Sequence, residues 1–387
     1  MNRILEAIKN GTAVYLEPHK EPKIWGIGGI GEYWYGAEKG EKSSIAVVGG
    51  NTAPMADIIE SIPESVLGRD VIKKFGQILP LVKVLTPKAR LSVQFHDAKN
   101  ELWIITGIDK KIANDKPNII LGFNPEAVKK YAETIKQEYK KTLEEYGRAL
   151  NQLIDVMEKK GYKEGLDKAG DVIKAAEFVK NKDLKIDEGL LALNLMTKRV
   201  AEFYSYRQIS IGDVIPIPAG TLHALGAGIE IVEPQIPGPT QSLEDGATYP
   251  VRYYFPGHNR PGAQKRLDID RVGEMCDGIV EENLPEIISE ESGCKIERLP
   301  GKFENKGLEV HRISVKKNRE LHVSKINSFH SLVLIEGEAK VLIKMREYDV
   351  PKVFSGGKML LIPACAGDFR IKTMEKEACI IDTFTPA

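Results

Sequence analysis

Cysteine is scarce: the 387-residue chain has four, Cys276, Cys294, Cys365 and Cys379, and no CxxC pair. A disulfide framework and a cysteine-based metal knuckle are therefore excluded, and ordinary buried thiols in a reduced, cytoplasmic protein are expected. An uninterrupted apolar run of about 18 residues is also missing, so no membrane-spanning helix is expected. The first segment, MNRILEAIKNGTAVYLEP, carries charges throughout and lacks the apolar core of a signal peptide. Net charge is absent as well, with 55 basic residues against 55 acidic ones, which argues against a chain-wide footprint for nucleic acid. What is there is a hydrophobic fraction of 42% and a charged fraction of 28%, a globular composition with material for two or three domains. Glycine (35) and proline (21) are plentiful enough to predict many turns and short strands.

Three textures succeed one another. Residues 12–123 read as β, with short β-branched runs such as Ser44–Val48, Leu79–Leu85 and Leu102–Thr106 broken by Gly and Pro. Asn124-Pro125-Glu126 then reads as a helix cap, a first-position proline and a first-turn acid. Beyond it, apolar residues at Tyr139, Leu143, Tyr146, Leu150 and Leu153 recur at helical spacing, and Gly161, Gly165, Gly170 and Gly189 divide the stretch into several helices. From Ile209 onward the β texture returns, interrupted by a Gly/Pro/Arg loop at His258–Arg271 and an acidic helical piece at Leu284–Glu291. A weak repeat links the two β regions: Glu101-Leu-Trp-Ile-Ile-Thr-Gly107 aligns without gaps on Ser331-Leu-Val-Leu-Ile-Glu-Gly337, and Ile217-Pro-Ala219 recurs as Ile362-Pro-Ala364. Two related β-barrels would produce it.

The chemistry concentrates in Leu91-Ser-Val-Gln-Phe-His96, which alternates strictly, with Ser92, Gln94 and His96 on one face. Gln and His two apart are unusual on a solvated strand face. Glu101 opens the next apolar run, and a short turn at Asp97–Asn100 would fold that run back so that the three side chains converge. Pro218-Ala-Gly220 makes a tight turn that delivers His223 onto the following strand. Imidazole nitrogen, carboxylate oxygen and amide oxygen together suit a borderline divalent ion such as zinc. A lone His223 is more often a hydrogen-bonded structural histidine than a ligand.

These residues resemble type I mannose-6-phosphate isomerase (phosphomannose isomerase), a zinc enzyme family of the cupin superfamily. The family carries a Leu-Ser-x-Gln-x-His strand, a Lys-x-Glu step and a Pro-Ala-Gly-x-x-His-Ala turn; this chain reads LSVQFH at 91–96, KNE at 99–101 and PAGTLHA at 218–224. Trp25-Gly26 and Glu32-Tyr-Trp34 match the family's opening motif, and Leu79-Pro-Leu-Val-Lys83 matches the Leu-Pro…Lys strand that precedes its metal strand. The resemblance implies a mainly β fold: two cupin (jelly-roll β-barrel) domains with an inserted all-α helical domain. It implies a metal-binding cupin domain at 1–123 plus 206–260, a helical insertion at 124–205 and a metal-free cupin-like domain at 261–387.

By position, the resemblance makes Gln94, His96, Glu101 and His223 the ligands of one zinc ion per chain. It places Lys83 and Ser92 near the substrate phosphate and sugar, and Lys99 and Arg252 as catalytic groups. Glu233-Pro-Gln235 matches the Glu-x-Gln after the histidine turn. In the second half, Ser331 stands where the repeat has Glu101 and Asp368 where it has His223, which implies a structural, metal-free barrel. The expected activity is metal-dependent interconversion of mannose 6-phosphate and fructose 6-phosphate through a cis-enediolate, by a cytoplasmic monomer or homodimer acting on a phosphorylated hexose, without nucleic-acid or membrane partners. The family's Pro after the second ligand is Asp97 here, and its long loop before the acidic ligand is cut to Asp97–Asn100. Another sugar-phosphate isomerase or epimerase on the same scaffold, or a non-catalytic sugar-binding cupin, is the alternative.

Overall fold

A computed structural model describes the chain except residues 39, 97–100, 160–194, 236–247, 253–267, 276–283, 302–306, 325–326 and 353–355; at 24, 150–159, 248–250 and 252 only the backbone is described. The protein is mainly β, with four antiparallel sheets of nine, six, five and four strands among the described residues. The six-stranded sheet contains Leu81–Leu85, Glu101–Ile108 and Ile229–Gln235; the five-stranded sheet contains Val93–His96, Asn118–Phe123, His223–Ala224 and Thr248–Arg252.

Strand alternation gives these two sheets an inner and an outer face, with a register shift between Ile120 and Phe123 that leaves both on the outer one. The inner face holds an apolar cluster that includes Trp103, Ile105, Leu121, Ile215 and Ile231. The outer face of the five-stranded sheet, with Val93, Phe95, Ile120 and Phe123, is covered by Tyr139, Leu143 and Tyr146 of the helix Ile135–Lys159. The Asn124 side chain accepts from the Glu126 amide (2.9 Å) and Pro125 opens the first helical turn, as the sequence predicts.

The outer face of the six-stranded sheet (Val82, Val84, Leu102, Ile104 and Val232) shares one core with Val333, Leu361 and Ile381 of the nine-stranded sheet. Between them lie three short helices, Met55–Ser61, Pro63–Leu67 and Arg69–Phe75, in a stretch that reads as β by composition. Pro63 presets the first turn of the second helix and Gly68 separates it from the third. Gly68 has φ +95°, and a Cβ there would meet the Asn327 carbonyl oxygen at 2.2 Å, so this helix junction seats directly on the C-terminal half.

The nine-stranded sheet faces the four-stranded one across a core of Ile313, Leu332, Leu334, Leu360, Val341, Phe369 and Ile371. Three N-terminal strands, Val14–Glu17, Ile45–Val48 and Asn51–Pro54, complete the nine-stranded sheet, with Val14 opposite Leu361. They belong by position to the first expected unit but hydrogen-bond into the second. The segment Glu286–Glu291 is an edge strand of this sheet, opposite Cys294–Arg298, and not the helix its acidic composition suggests.

The repeat is also corrected. Glu101 shares its face with Trp103 and Ile105 toward the first interior, whereas Ser331 shares its face with Val333 toward the intervening core. The gapless alignment is out of register by one residue, and one residue exchanges the two faces of a strand.

Candidate metal centre

The two sheets of the first half converge at one end of their shared interior. Gln94 and His96 alternate with Val93 and Phe95, which are held in the helix-side core, so both polar side chains face inward. His223 lies in register between Gln94 and Leu121 in the same sheet. Its approach is set by the turn before it: Gly220 adopts φ +79° and its amide donates to the His96 carbonyl at 2.6 Å, tying the turn to the neighbouring strand.

Glu101 arrives from the opposite wall. The strand Glu101–Ile108 pairs with Val214–Ile217 and Ile229–Gln235, not with Val93–His96. The expected convergence is therefore achieved by crossing from one sheet to the other rather than by a hairpin; residues 97–100, Lys99 among them, lie outside the described residues.

His96 Nε2 is 2.9 Å from Glu101 Oε1, and the His96 and His223 rings are 4.9 Å apart. His96, Glu101 and His223 are 2%, 3% and 1% exposed, and one potential ligand atom from each lies within 4.8 Å of the other two. At that burial a carboxylate among imidazoles is stable only with positive charge to balance it. A divalent cation supplies it, and with a single carboxylate in the set one unit of positive charge would remain.

Three of the candidate ligands, His223, Glu101 and Gln94, are also oriented from behind, as metal-binding side chains generally are. His223 Nδ1 is 2.8 Å from the Thr221 carbonyl oxygen, so Nδ1 donates and Nε2 keeps its lone pair for the centre. Trp103 Nε1 donates to Glu101 Oε2 at 3.0 Å, turning Oε1 toward His96. Ser92 Oγ donates to Gln94 Oε1 at 3.0 Å, and Gln94 Nε2 lies 3.4 Å from His223 Nε2. Since a carboxamide offers a metal only its oxygen, Gln94 would ligate with the amide turned over, Ser92 then accepting from its nitrogen. The donor set thus fits a metal ion.

From the centre a polar strip crosses the inner face of the six-stranded sheet. Gln235 lies opposite Glu101, and Glu233, two residues earlier, lies opposite Lys83, which in turn lies opposite Trp34. The Lys83 ammonium is 3.8 Å from Glu32 Oε2, 3.9 Å from Glu233 Oε1 and 4.9 Å from the Trp34 ring centroid. Trp34 Nε1 donates to Glu32 at 2.7 Å, and Lys42 covers the same ring at 4.8 Å. Burial pushes the nearby Glu38 carboxyl above its ordinary value, against the pull of Lys83 and Lys42. Arg252 occupies a backbone position opposite Val93 on the strand flanking Val93–His96; its side chain lies outside the described set.

Of the residues singled out in the sequence, Gln94, His96, Glu101 and His223 come together, Ser92 joins them through Gln94, and Lys83 stands apart along the strip. Trp103 carries no sequence signal of its own and becomes legible only from its two-residue spacing to Glu101. Gln235 is marked in the sequence by the Glu-x-Gln match, but its place beside Glu101 is legible only from strand register.

Residues 10–131 match the model for phosphomannose isomerase type I, catalytic domain. Mannose-6-phosphate isomerases of Escherichia coli (strain K12) and Salmonella typhimurium are 30% identical to the chain over 109 residues; the match covers 25% of this chain and 28% of each of theirs. The matched segment therefore spans little more than a quarter of these curated relatives. The fold extends much further: the mannose 6-phosphate isomerase of Bacillus subtilis aligns over 96% of this chain and 99% of its own at 18% identity, TM-score 0.59. A mutant of phosphomannose isomerase from Salmonella typhimurium aligns over 97% and 100% at 15% identity, TM-score 0.66. The chain thus resembles the type I phosphomannose isomerases in sequence over residues 10–131 and in fold along nearly its whole length.

Proposed function

We propose that the protein is a zinc-dependent mannose-6-phosphate isomerase, interconverting mannose 6-phosphate and fructose 6-phosphate through a cis-enediolate. The observation that carries this reading is the buried His96–Glu101–His223 group, assembled from two sheets and placed within reach of a lysine-bearing strip. In this reading the two β-sheet units are cupin barrels, the first metal-binding and the second not, with a helical insertion between residues 124 and 205. Zinc, held by Gln94, His96, Glu101 and His223, would act as a Lewis acid toward the sugar oxygens.

The remaining chemistry belongs to the chain itself. Aldose–ketose exchange removes a proton beside a carbonyl and returns it one carbon away, so the sugar must be held in register while water is excluded. Lys83 would bind the phosphate: its ammonium is partly buried, and the Glu32 and Glu233 oxygens stand at long range, so an anion can compete for it. Ser92 would serve the sugar end by fixing Gln94. Lys99 and Arg252 are assigned charge stabilisation and proton relay on their motif positions, Arg252 supported by a backbone site on the strand beside Val93–His96.

Further parts of the reading are a cytoplasmic setting and a monomer or homodimer as the working unit. The described cysteines, Cys294, Cys365 and Cys379, form no disulfide, and no described helix is long and apolar enough to cross a membrane.

The test is chelation followed by metal return, with fructose 6-phosphate formation as the readout. Turnover should vanish on chelation and recover with zinc. Full activity in protein shown to contain no metal would overturn the assignment. A panel of other hexose phosphates run in parallel would reveal a different sugar specificity.

A further inference from the structure

Gln235 is 5% exposed, and its Oε1, shielded from solvent, has no hydrogen-bond partner among the described residues. Buried acceptors are rarely left in that state, and those that are ask for an explanation. Strand register supplies one. Residues directly opposite on antiparallel strands point to the same face with Cβ atoms about 5 Å apart, so the Gln235 amide stands beside the Glu101 carboxylate in the interior. Two residues earlier on the same face is Glu233, and opposite Glu233 is Lys83. Lys83 and Glu101 are thus two strands and two residues apart, about 12 Å between backbones from the ordinary strand spacing and rise.

A molecule held by the metal centre at one end and by Lys83 at the other must pass over Gln235. Lys83 offers only donors, and Glu233 sits opposite it at the far end of the strip. Between them and the metal centre, the buried acceptor without a hydrogen-bond partner among the described residues is Gln235 Oε1.

We propose that Gln235 is a specificity-determining substrate contact, its Oε1 accepting a hydrogen bond from a hydroxyl on the middle carbons, C3 to C5, of the phosphorylated hexose. The inference rests on the isomerase reading and deepens it. The amide would tell a polyhydroxyl chain from one lacking that hydroxyl, because only the former completes the buried acceptor.

The experiment uses the zinc-loaded full chain and its Q235L variant. With mannose 6-phosphate, Q235L should raise KM about tenfold with little change in kcat, the size expected for one lost hydrogen bond, and should keep its zinc content. One of the 3-deoxy, 4-deoxy or 5-deoxy analogues should cost the unsubstituted enzyme about the same factor and cost Q235L nothing further. Should Q235L fail to fold, Q235N, which keeps the amide but withdraws its oxygen by one methylene, must show the same rise. An unchanged KM, or a KM rise tracking loss of zinc, would overturn the proposal, the latter by showing that Gln235 acts only through Glu101. If the protein proves to turn over no hexose phosphate, calorimetric binding of mannose 6-phosphate separates the two ideas. Binding weakened in Q235L would keep the contact and sink the isomerase; equal binding, or none in either protein, would sink the contact.

Discussion

The two halves of the molecule place histidines and carboxylates at the polar end of a β interior, and they use them differently. In the first, His96 and His223 come from the five-stranded sheet and Glu101 from the six-stranded one, so the groups confront each other across the interior. In the second, the buried histidine–carboxylate pairs among the described residues sit on a single wall, and the exposed His322–Asp368 pair stands at the other sheet. His330 Nδ1 lies 2.7 Å from Asp382 Oδ2 and His311 Nε2 lies 2.6 Å from Glu309 Oε1, all four residues being on the nine-stranded sheet. The Phe384 ring stands between the two imidazoles, with centroids 4.8 Å from His311 and 5.3 Å from His330. Pairing within one sheet satisfies each histidine locally; pairing across two sheets leaves several donors aimed at one point. Residue types alone do not separate a ligand set from two buried histidine–carboxylate hydrogen bonds. The wall each residue occupies does.

Exchanging treatments between the halves is the sharpest way to break this comparison. His223→Ala should abolish metal retention and lower kcat/KM for mannose 6-phosphate by at least a thousandfold, the scale expected when a catalytic metal is lost. His330→Ala should leave both within a fewfold of the parent, as read by metal analysis and steady-state kinetics. Activity lost equally in both variants would show that the second interior shares in the chemistry.

A smaller pair of effects follows from what lies behind each group. Asp382→Asn leaves a buried imidazole facing an amide and should cost about 3 kcal/mol in urea unfolding with metal affinity unchanged. Trp103→Phe removes the donor to Glu101 Oε2 and should weaken metal binding by about 10- to 100-fold, with little loss of stability in the metal-free protein.

The smallest effect is on acid stability. Burial pushes the Glu309 carboxyl up, but the hydrogen bonds from His311 and Arg298 outweigh it and hold Glu309 below an ordinary glutamate; Glu297 is likewise lowered against its burial by Arg312 and Lys295. In the window between the lowered folded values and the ordinary glutamate value, the folded protein binds fewer protons than the unfolded one. The stabilisation from these carboxylates is therefore complete above the ordinary glutamate value and is lost as pH falls through the folded values. Glu309→Gln should flatten the acid limb of the melting temperature against pH, and the metal centre should be indifferent to it at neutral pH.

Much of the centre was legible because alternation is a local signal. Ser92, Gln94 and His96 fall on one face of any strand that contains them, and a Pro-Ala-Gly turn before His223 needs no tertiary knowledge to read. Which sheet a strand joins is not local. The hairpin expected after His96 failed because Glu101–Ile108 finds its partners at Val214–Ile217 and Ile229–Gln235, far along the chain. The same limit explains the repeat: glycine spacing aligned Glu101 with Ser331, while the buried face of each strand is decided by what packs on it. Met55–Phe75 folds as helices against two sheets despite its β-like surroundings, and Glu286–Glu291 is recruited as an edge strand despite its acids, in both cases because tertiary partners override weak local preference.

The strand Val14–Glu17, hydrogen-bonded on one side to Met359–Ile362, closes the molecule like a clasp. That ladder joins residues more than 340 positions apart, so the wall behind the candidate metal centre is braced across a very long stretch of chain. Such long-range closure is entropically slow. Expressing the halves as separate fragments should therefore leave each with an open sheet edge, and the centre itself, though built from the first half, depends on the second to stand.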